Sequence, residues 1–441
     1  MRESRARLRY VIERENGHPD CRGFGGRRKM RTMHSVPIAV LLTVTSAAAQ
    51  AVLDDPVKIA DAEKLLETFQ GEPLRCEVDT MKPRFSFSLR LETGYAYRVP
   101  LNQYRGAGHN WVVLTRVTPQ AGNRRPVYLS DVVQLPPIPS TDQEAEVGGS
   151  YWLGEGRYTA KSLLFDDSNR ACRKEWQIDA RLSSDGRKVA PLIAPNTVAG
   201  LSWSASPRTE GGDSSALPRL TILLDAAAIF PMRTSLMSAS DRGLLLDALS
   251  ALVEELPARS VKLVVFYLDQ HKEVYRREGF TIDAMPEVAR AMNELQPSLV
   301  DYSVLQKPGG ALDLIESLAN LEIRASEASD AVIFLGPRIR YTGKISPGAL
   351  DQPRGAAPRF FYLQCAPQPY GRAPRATAAM AAGRRGEPAP LPPIVVPSYR
   401  SGPDSIEYTV AQLRGKTMIA ALPEDFAKAV AEVKRSMRTR K

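Results

Sequence analysis

The sequence predicts an antiparallel β-sandwich followed by an α/β doubly wound, mostly parallel sheet. Three observations carry this reading. Short alternating segments separated by turn residues fill residues 52–188. Continuous apolar runs alternating with amphipathic helices fill residues 217–438. Between them, residues 189–216 are rich in Ser, Pro, Gly and Ala and read as a linker. The length of 441 residues suits two or three domains.

Taken in order, Pro56 to Phe69 carries Ile59, Ala62, Leu65, Leu66 and Phe69 near helical spacing and predicts a short amphipathic helix. Phe85, Phe87, Leu89 and Leu91 alternate. After Glu92-Thr93-Gly94 the alternation resumes at Tyr95, Tyr97, Val99 and Leu101, which predicts a hairpin turning at Gly94. Further strands are expected at Trp111 to Val117, Val127 to Leu135, Tyr158 to Phe165 and Cys172 to Leu182, with Asp166 to Asn169 as a turn. A tyrosine early in a late strand, Tyr158 in GEGRYTAKSLLFD, resembles immunoglobulin-like domains. In the second half, strands are expected at Leu220 to Leu224, Val261 to Leu268, Asp330 to Gly336, Arg359 to Cys365 and KTMIAAL. Helices are expected at Asp241 to Leu256, Pro286 to Leu295, Ala311 to Leu321, Asp404 to Leu413 and Glu424 to Met437. Residues 366–403, rich in Pro, Arg and Ala, read as a mobile surface insertion.

The N-terminal region has the look of an export signal. Arg27, Arg28, Lys29 and Arg31 precede an apolar run from Val36 to Val44, and Ala49-Gln50-Ala51 fits the A-x-A rule for cleavage. A run of about ten residues is too short to span a bilayer. Residues 1–51 are therefore read as a pre-signal stretch and a secretory signal ending near Ala51, which implies a periplasmic or extracellular chain. Met30 or Met33 is a better start than Met1, and no Cys follows the small residues to carry a lipid. The net charge of +10 owes much to Met1 to Thr32, so the remainder has no nucleic-acid footprint. Export permits a disulfide. Of the four cysteines, Cys76 and Cys172 are the preferred pair because both fall in the sandwich, Cys21 precedes the signal, and Cys365 is left as a buried thiol.

The order strand, Asp225, helix, strand and so on through Leu217 to Met437 resembles the von Willebrand factor type A domain. More narrowly, VKLVVFYLDQ, DAVIFLGP, RFFYLQ and GKTMIAALPEDFAKAV resemble secreted bacterial proteins with such a domain known from acidobacteria. The resemblance implies a divalent-cation site at the strand ends, built from an Asp-x-Ser-x-Ser motif, a Thr from a later loop and a second Asp. Asp225 keeps the first acid. Ala227 and Ile229 stand where the serines belong, Gly309, Gly310 and Ala311 lie in the loop that would bear the Thr, and Gly336 falls near the second Asp. One oxygen ligand of five is left, and a lone carboxylate does not hold Mg²⁺ against water. Asp225 is thus read as a vestige that caps backbone N–H groups, with no metal and no cofactor expected.

Two further candidates lie at strand ends. Asp269 and His271 in YLDQH sit where open α/β sheets place ligands, and read as solvated loop residues or as a hydrolytic pair. No GxSxG or phosphate loop accompanies them. Gly309-Gly310 before a helix reads as a tight turn, with an anion cradle as the alternative. In the sandwich, Tyr95, Tyr97, Tyr104 and Trp111 read as core, with a partner-facing patch as the alternative. His18, His34, His109 and His271 give no zinc spacing. The expected function is a non-catalytic exported binding or scaffolding protein, with a contact face at Asp225, Gly309, Gly310, Gly336, Asp269 and His271. Its partners are expected among cell-envelope proteins, with no nucleic acid and no membrane span after signal removal. A cation-dependent adhesion domain and a hydrolase are the rivals.

Overall fold

In the computed structural model, the described residues are 50–438 apart from 107, 138–140, 190–191, 202–216, 230–236, 296–301, 308, 326, 347, 352–356 and 368–401. The pre-signal and signal stretch up to Ala49, most of the linker and nearly all of the 366–403 insertion lie outside them. The chain is sheet-rich, with three sheets. The first half contributes β1 (Ala51–Val52), α1 (Pro56–Thr68), β2 (Glu72–Pro73), β3 (Glu77–Phe85), β4 (Leu91–Pro100), β5 (His109–Pro119) and β6 (Val127–Leu135). It continues with β7 (Glu144–Leu153), β8 (Gly156–Asp166), β9 (Arg170–Ala180) and β10 (Val198–Gly200).

These strands form a six-stranded sheet, β1-β6-β5-β8-β9-β2, and a four-stranded sheet, β10-β7-β4-β3. All pairs are antiparallel except the two-residue β2–β9 pair. One apolar core joins their facing sides. Tyr95, Tyr97 and Val99 of β4 and Tyr151 of β7 meet Trp111, Val113, Leu129, Tyr158 and Ile178 of the larger sheet. The aromatic set Tyr95, Tyr97, Tyr104 and Trp111 is therefore internal, each residue at most 2% exposed. Its hydroxyls are partnered. Tyr97 donates to Ser162 Oγ at 2.7 Å, Thr115 donates to Tyr95 at 2.7 Å, and Tyr104 donates to Asp166 at 3.0 Å. Burial pushes the Tyr95 hydroxyl up to about 12, so the network stays neutral. Outside, α1 lays Ala62 and Leu66 on Leu114, Tyr128 and Leu163. Cys76 and Cys172 are joined by a disulfide with a Cα–Cα distance of 6.3 Å.

The hairpin near residue 90 turns elsewhere than the alternation suggested. Glu92-Thr93-Gly94 runs straight through β4, and the turn is Ser86 to Arg90 instead. Ser86 N donates to Arg90 O at 2.9 Å, and Leu89 takes φ +56°. The alternating Phe87 and Leu89 misled because they are buried, but not in a strand. They sit at the hairpin tip and enter the core of the parallel-sheet region, where Phe87 meets Phe426 at 5.6 Å between ring centroids. Arg90 pairs with Glu254 and stacks over Trp152 at 4.3 Å. The region read as a linker also departs from expectation: β10 pairs with β7, and Leu192 N donates to Leu89 O at 3.3 Å.

The second half supplies β11 (Arg219–Asp225), α2 (Ala239–Glu255), β12 (Ser260–Tyr267), β13 (Lys272–Arg277), α3 (Met285–Asn293), α4 (Tyr302–Leu305) and α5 (Gly310–Arg324). It closes with β14 (Ala331–Pro337), β15 (Arg359–Cys365), α6 (Ser405–Gln412), β16 (Lys416–Ala420) and α7 (Pro423–Arg438). The sheet order is β13-β12-β11-β14-β15-β16, parallel except for the edge strand β13, which the sequence reading missed. Successive strand residues bury on opposite faces. Ile222, Leu224, Leu263 and Ile333 pack with α2, α3 and α7. Leu223, Val264, Phe266 and Phe334 pack with α5 and α6. Both faces are covered, which is why the strand sequences are continuously apolar. Among the described residues no helix is long and apolar enough to cross a membrane.

Candidate functional site at the strand ends

The carboxyl ends of β11, β12 and β14 converge where the strand order changes direction, the place at which open α/β sheets hold ligands. Asp225 ends β11 opposite Phe266, and Ala226 N donates to Phe266 O at 2.8 Å. Its side chain is 1% exposed. Gly336 presses on it, since a Cβ at that position would lie 2.8 Å from Asp225 Cβ. Neither carboxyl oxygen has a hydrogen-bond partner among the described residues. Burial first, then the charges of Asp269 and Asp404, hold the Asp225 carboxyl well above the usual carboxylate range. Among the described residues no backbone N–H is capped by Asp225, and a helix cap at this edge belongs to another acid.

That acid is Asp404, absent from the sequence candidates. It is the N-cap of α6, accepting Glu407 N on Oδ1 at 2.9 Å. Its Oδ2 accepts Ile339 N at 3.1 Å, Tyr362 OH at 3.2 Å and Gln364 Nε2 at 3.1 Å. Burial raises its pKa and these donors oppose the rise. The sequence held a signal for it: Asp404-Ser405-Ile406-Glu407 has capping-box spacing.

Asp269 and His271 follow β12 but do not act on each other. Asp269 Oδ1 accepts from Tyr341 OH at 2.8 Å and pairs with Arg340 at 3.1 Å, while Oδ2 accepts from Tyr267 OH at 3.4 Å. His271 takes a left-handed conformation, φ 49°, and its ring lies on Gly310 at the start of α5, where a Cβ would collide with Nδ1. Gly309 is the N-cap of that helix. The predicted face thus falls into two groups: Asp225 with Gly336 and, through charge, Asp269; and His271 with Gly309 and Gly310. The positions that the resemblance assigns to hydroxyl ligands point elsewhere. Ile229 is buried and Ala227 half-buried against the core beneath α2, while Ala311 is buried on the opposite face of the sheet.

No protein-family model matches the chain, and no curated protein does. Solved structures give low-scoring likenesses. The ApaA protein of Bordetella pertussis matches with 13% identity and a TM-score of 0.18, over 26% of this chain and 100% of that one. A glycosyl hydrolase family 2 member from Bacteroides cellulosilyticus matches with 13% identity and a TM-score of 0.18, over 65% of this chain and 38% of that one. A β-glucosidase from Kluyveromyces marxianus matches with 14% identity and a TM-score of 0.15, over 25% of this chain and 14% of that one.

Proposed function

We propose that this is an exported, non-catalytic binding or scaffolding protein whose C-terminal region is a type A-like domain with its cation site lost, preceded by an immunoglobulin-like sandwich. The observation that carries the reading is the state of Asp225. It is a sealed carboxyl without partners among the described residues, lifted toward its neutral form by burial and two neighbouring acids. A carboxyl whose charged form is disfavoured by burial is a poor ligand for a hard dication, and Mg²⁺ surrenders its water only to a full oxygen set. The residues that the resemblance aligns with hydroxyl ligands, Ala227, Ile229 and Ala311, carry no side-chain oxygen and face the two cores rather than Asp225. The residues at the strand ends therefore do not fit the cation that the resemblance implies.

The hydrolase reading is weakened by the partners of Asp269. Its oxygens engage two tyrosines and Arg340, so it does not orient His271 as a general base requires. What remains is a recognition surface for cell-envelope proteins, a role that fold analogy suggests rather than assigns. Titrating the full chain with Mg²⁺ and then Mn²⁺ in a calorimeter tests the central point. The expected result is no saturable heat. Saturable heat that disappears in Asp225→Ala would restore the adhesion-domain alternative.

A further inference from the structure

Gln50, Ala51 and Val52 are built into the antiparallel sheets. Ala51 and Val52 pair with Ser130 and Leu129 of β6, and Leu53 N donates to Tyr128 O at 2.9 Å. Gln50 is 6% exposed, and its side-chain amide donates to Tyr95 OH at 2.5 Å, the head of the chain through Thr115 and Ser162 to Tyr97. Two glycines make room for this segment. A Cβ on Gly149 would collide with the Gln50 amide, and one on Gly200 with Val52. A cut after Ala51 would discard Gln50 and one of the two paired residues of β1, leaving a polar slot empty inside the sheets. The sequence contains a second A-x-A two residues earlier, Ala47-Ala48-Ala49.

Across the strand pair stands an acid with no cation beside it among the described residues. The register pairs Ala51 with Ser130, so the next residues along the two antiparallel segments are Gln50 and Asp131. Asp131 lies on the buried side of β6 between the core residues Leu129 and Val133 and is 8% exposed. Burial holds its carboxyl above the ordinary range, opposed only by the Val132 backbone N–H, and no Lys, Arg or His of the described residues contributes.

We propose that export processing cuts between Ala49 and Gln50, and that the α-ammonium so created on Gln50 pairs with Asp131. The step is a hydrolysis by the exporting cell's signal-processing peptidase. Water adds across the amide, Ala49 leaves with the new carboxylate, and Gln50 keeps the nitrogen as an ammonium. A carboxylate buried among apolar residues gains most from such a partner. The inference rests on the export reading and refines its expected end point near Ala51.

The test expresses the full chain in an exporting bacterium, recovers it from the envelope fraction, and reads its N-terminus by intact mass and terminal sequencing. The α-amine is then acylated at neutral pH. The expected mature chain begins at an uncyclised Gln50. Asp131→Asn is expected to speed acylation about tenfold, because an ion pair that lifts the amine by about one pKa unit leaves about a tenth as much free base. Asp131→Glu should keep the slow rate, and Asp131→Ser serves the same comparison if the Asn variant does not fold. A chain beginning at Val52, or at a cyclised Gln50, overturns the proposal, as do equal acylation rates with and without the Asp131 charge. A chain left in the cytoplasm at its full mass is a separate failure, that of the export reading itself.

Discussion

Asp225 and Asp404 are two buried acids at the same edge of one sheet, close enough for each to bear on the other's surroundings, and their fates differ. Asp404 sits at a helix start and receives four donors from Glu407, Ile339, Tyr362 and Gln364. Asp225 sits at a strand end, under Gly336, and receives none among the described residues. Burial raises both pKa values, but only in Asp404 do hydrogen bonds pull the other way. The same side chain is thus a structural cap in one place and a carboxyl whose charged form burial disfavours in the other. The neighbourhood decides, not the residue type.

The largest effect should come from breaking the satisfied acid. Asp404→Ala takes the acceptor from the Glu407 and Ile339 backbone N–H groups and from Gln364 Nε2, while Tyr362 keeps Pro337 O at 2.6 Å, and should cost about 3–5 kcal/mol in denaturant unfolding. Breaking the unsatisfied acid should do the reverse. An aspartate whose carboxyl is held by burial well above its ordinary range costs stability at neutral pH. Asp225→Asn should recover a large part of that.

The sign follows from linkage. The folded chain holds the proton that the unfolded chain releases, so stability is undiminished below the unfolded pKa. It falls by about 1.4 kcal/mol per pH unit as pH rises toward the folded value, then levels. Asp225→Asn should flatten that slope, and a slope unchanged by the substitution would break the comparison. A smaller effect is expected at the lid. Gly336→Ala places a methyl 2.8 Å from Asp225 Cβ and should cost about 1–3 kcal/mol by thermal melt, less in an Asp225→Gly background that removes that Cβ.

The sequence made the strands of the mostly parallel sheet plain, because burial on both faces leaves continuous apolar runs such as VKLVVFY and AVIFL. It hid β13, whose KEVYRR is polar because an edge strand need not bury both faces. It misplaced the hairpin tip, since Phe87 and Leu89 alternate like a strand while serving as a plug into the other core. At the site, Asp225 and Gly336 meet because the ends of adjacent parallel strands lie side by side; in the sequence only the family resemblance placed them together. Asp404 was legible only as a helix cap through its spacing to Glu407; its place at the site was not, because its other partners come from segments 40 to 65 residues away that no local pattern connects.

The most direct test of the account follows the ¹³C resonance of the Asp225 carboxyl through a pH titration of the intact chain, assigned by its loss in Asp225→Asn. A resonance that stays at the neutral-acid position through pH 7, unmoved by millimolar Mg²⁺, is the predicted result. A carboxylate that ionises with an ordinary midpoint, or that shifts on adding the metal, would contradict it.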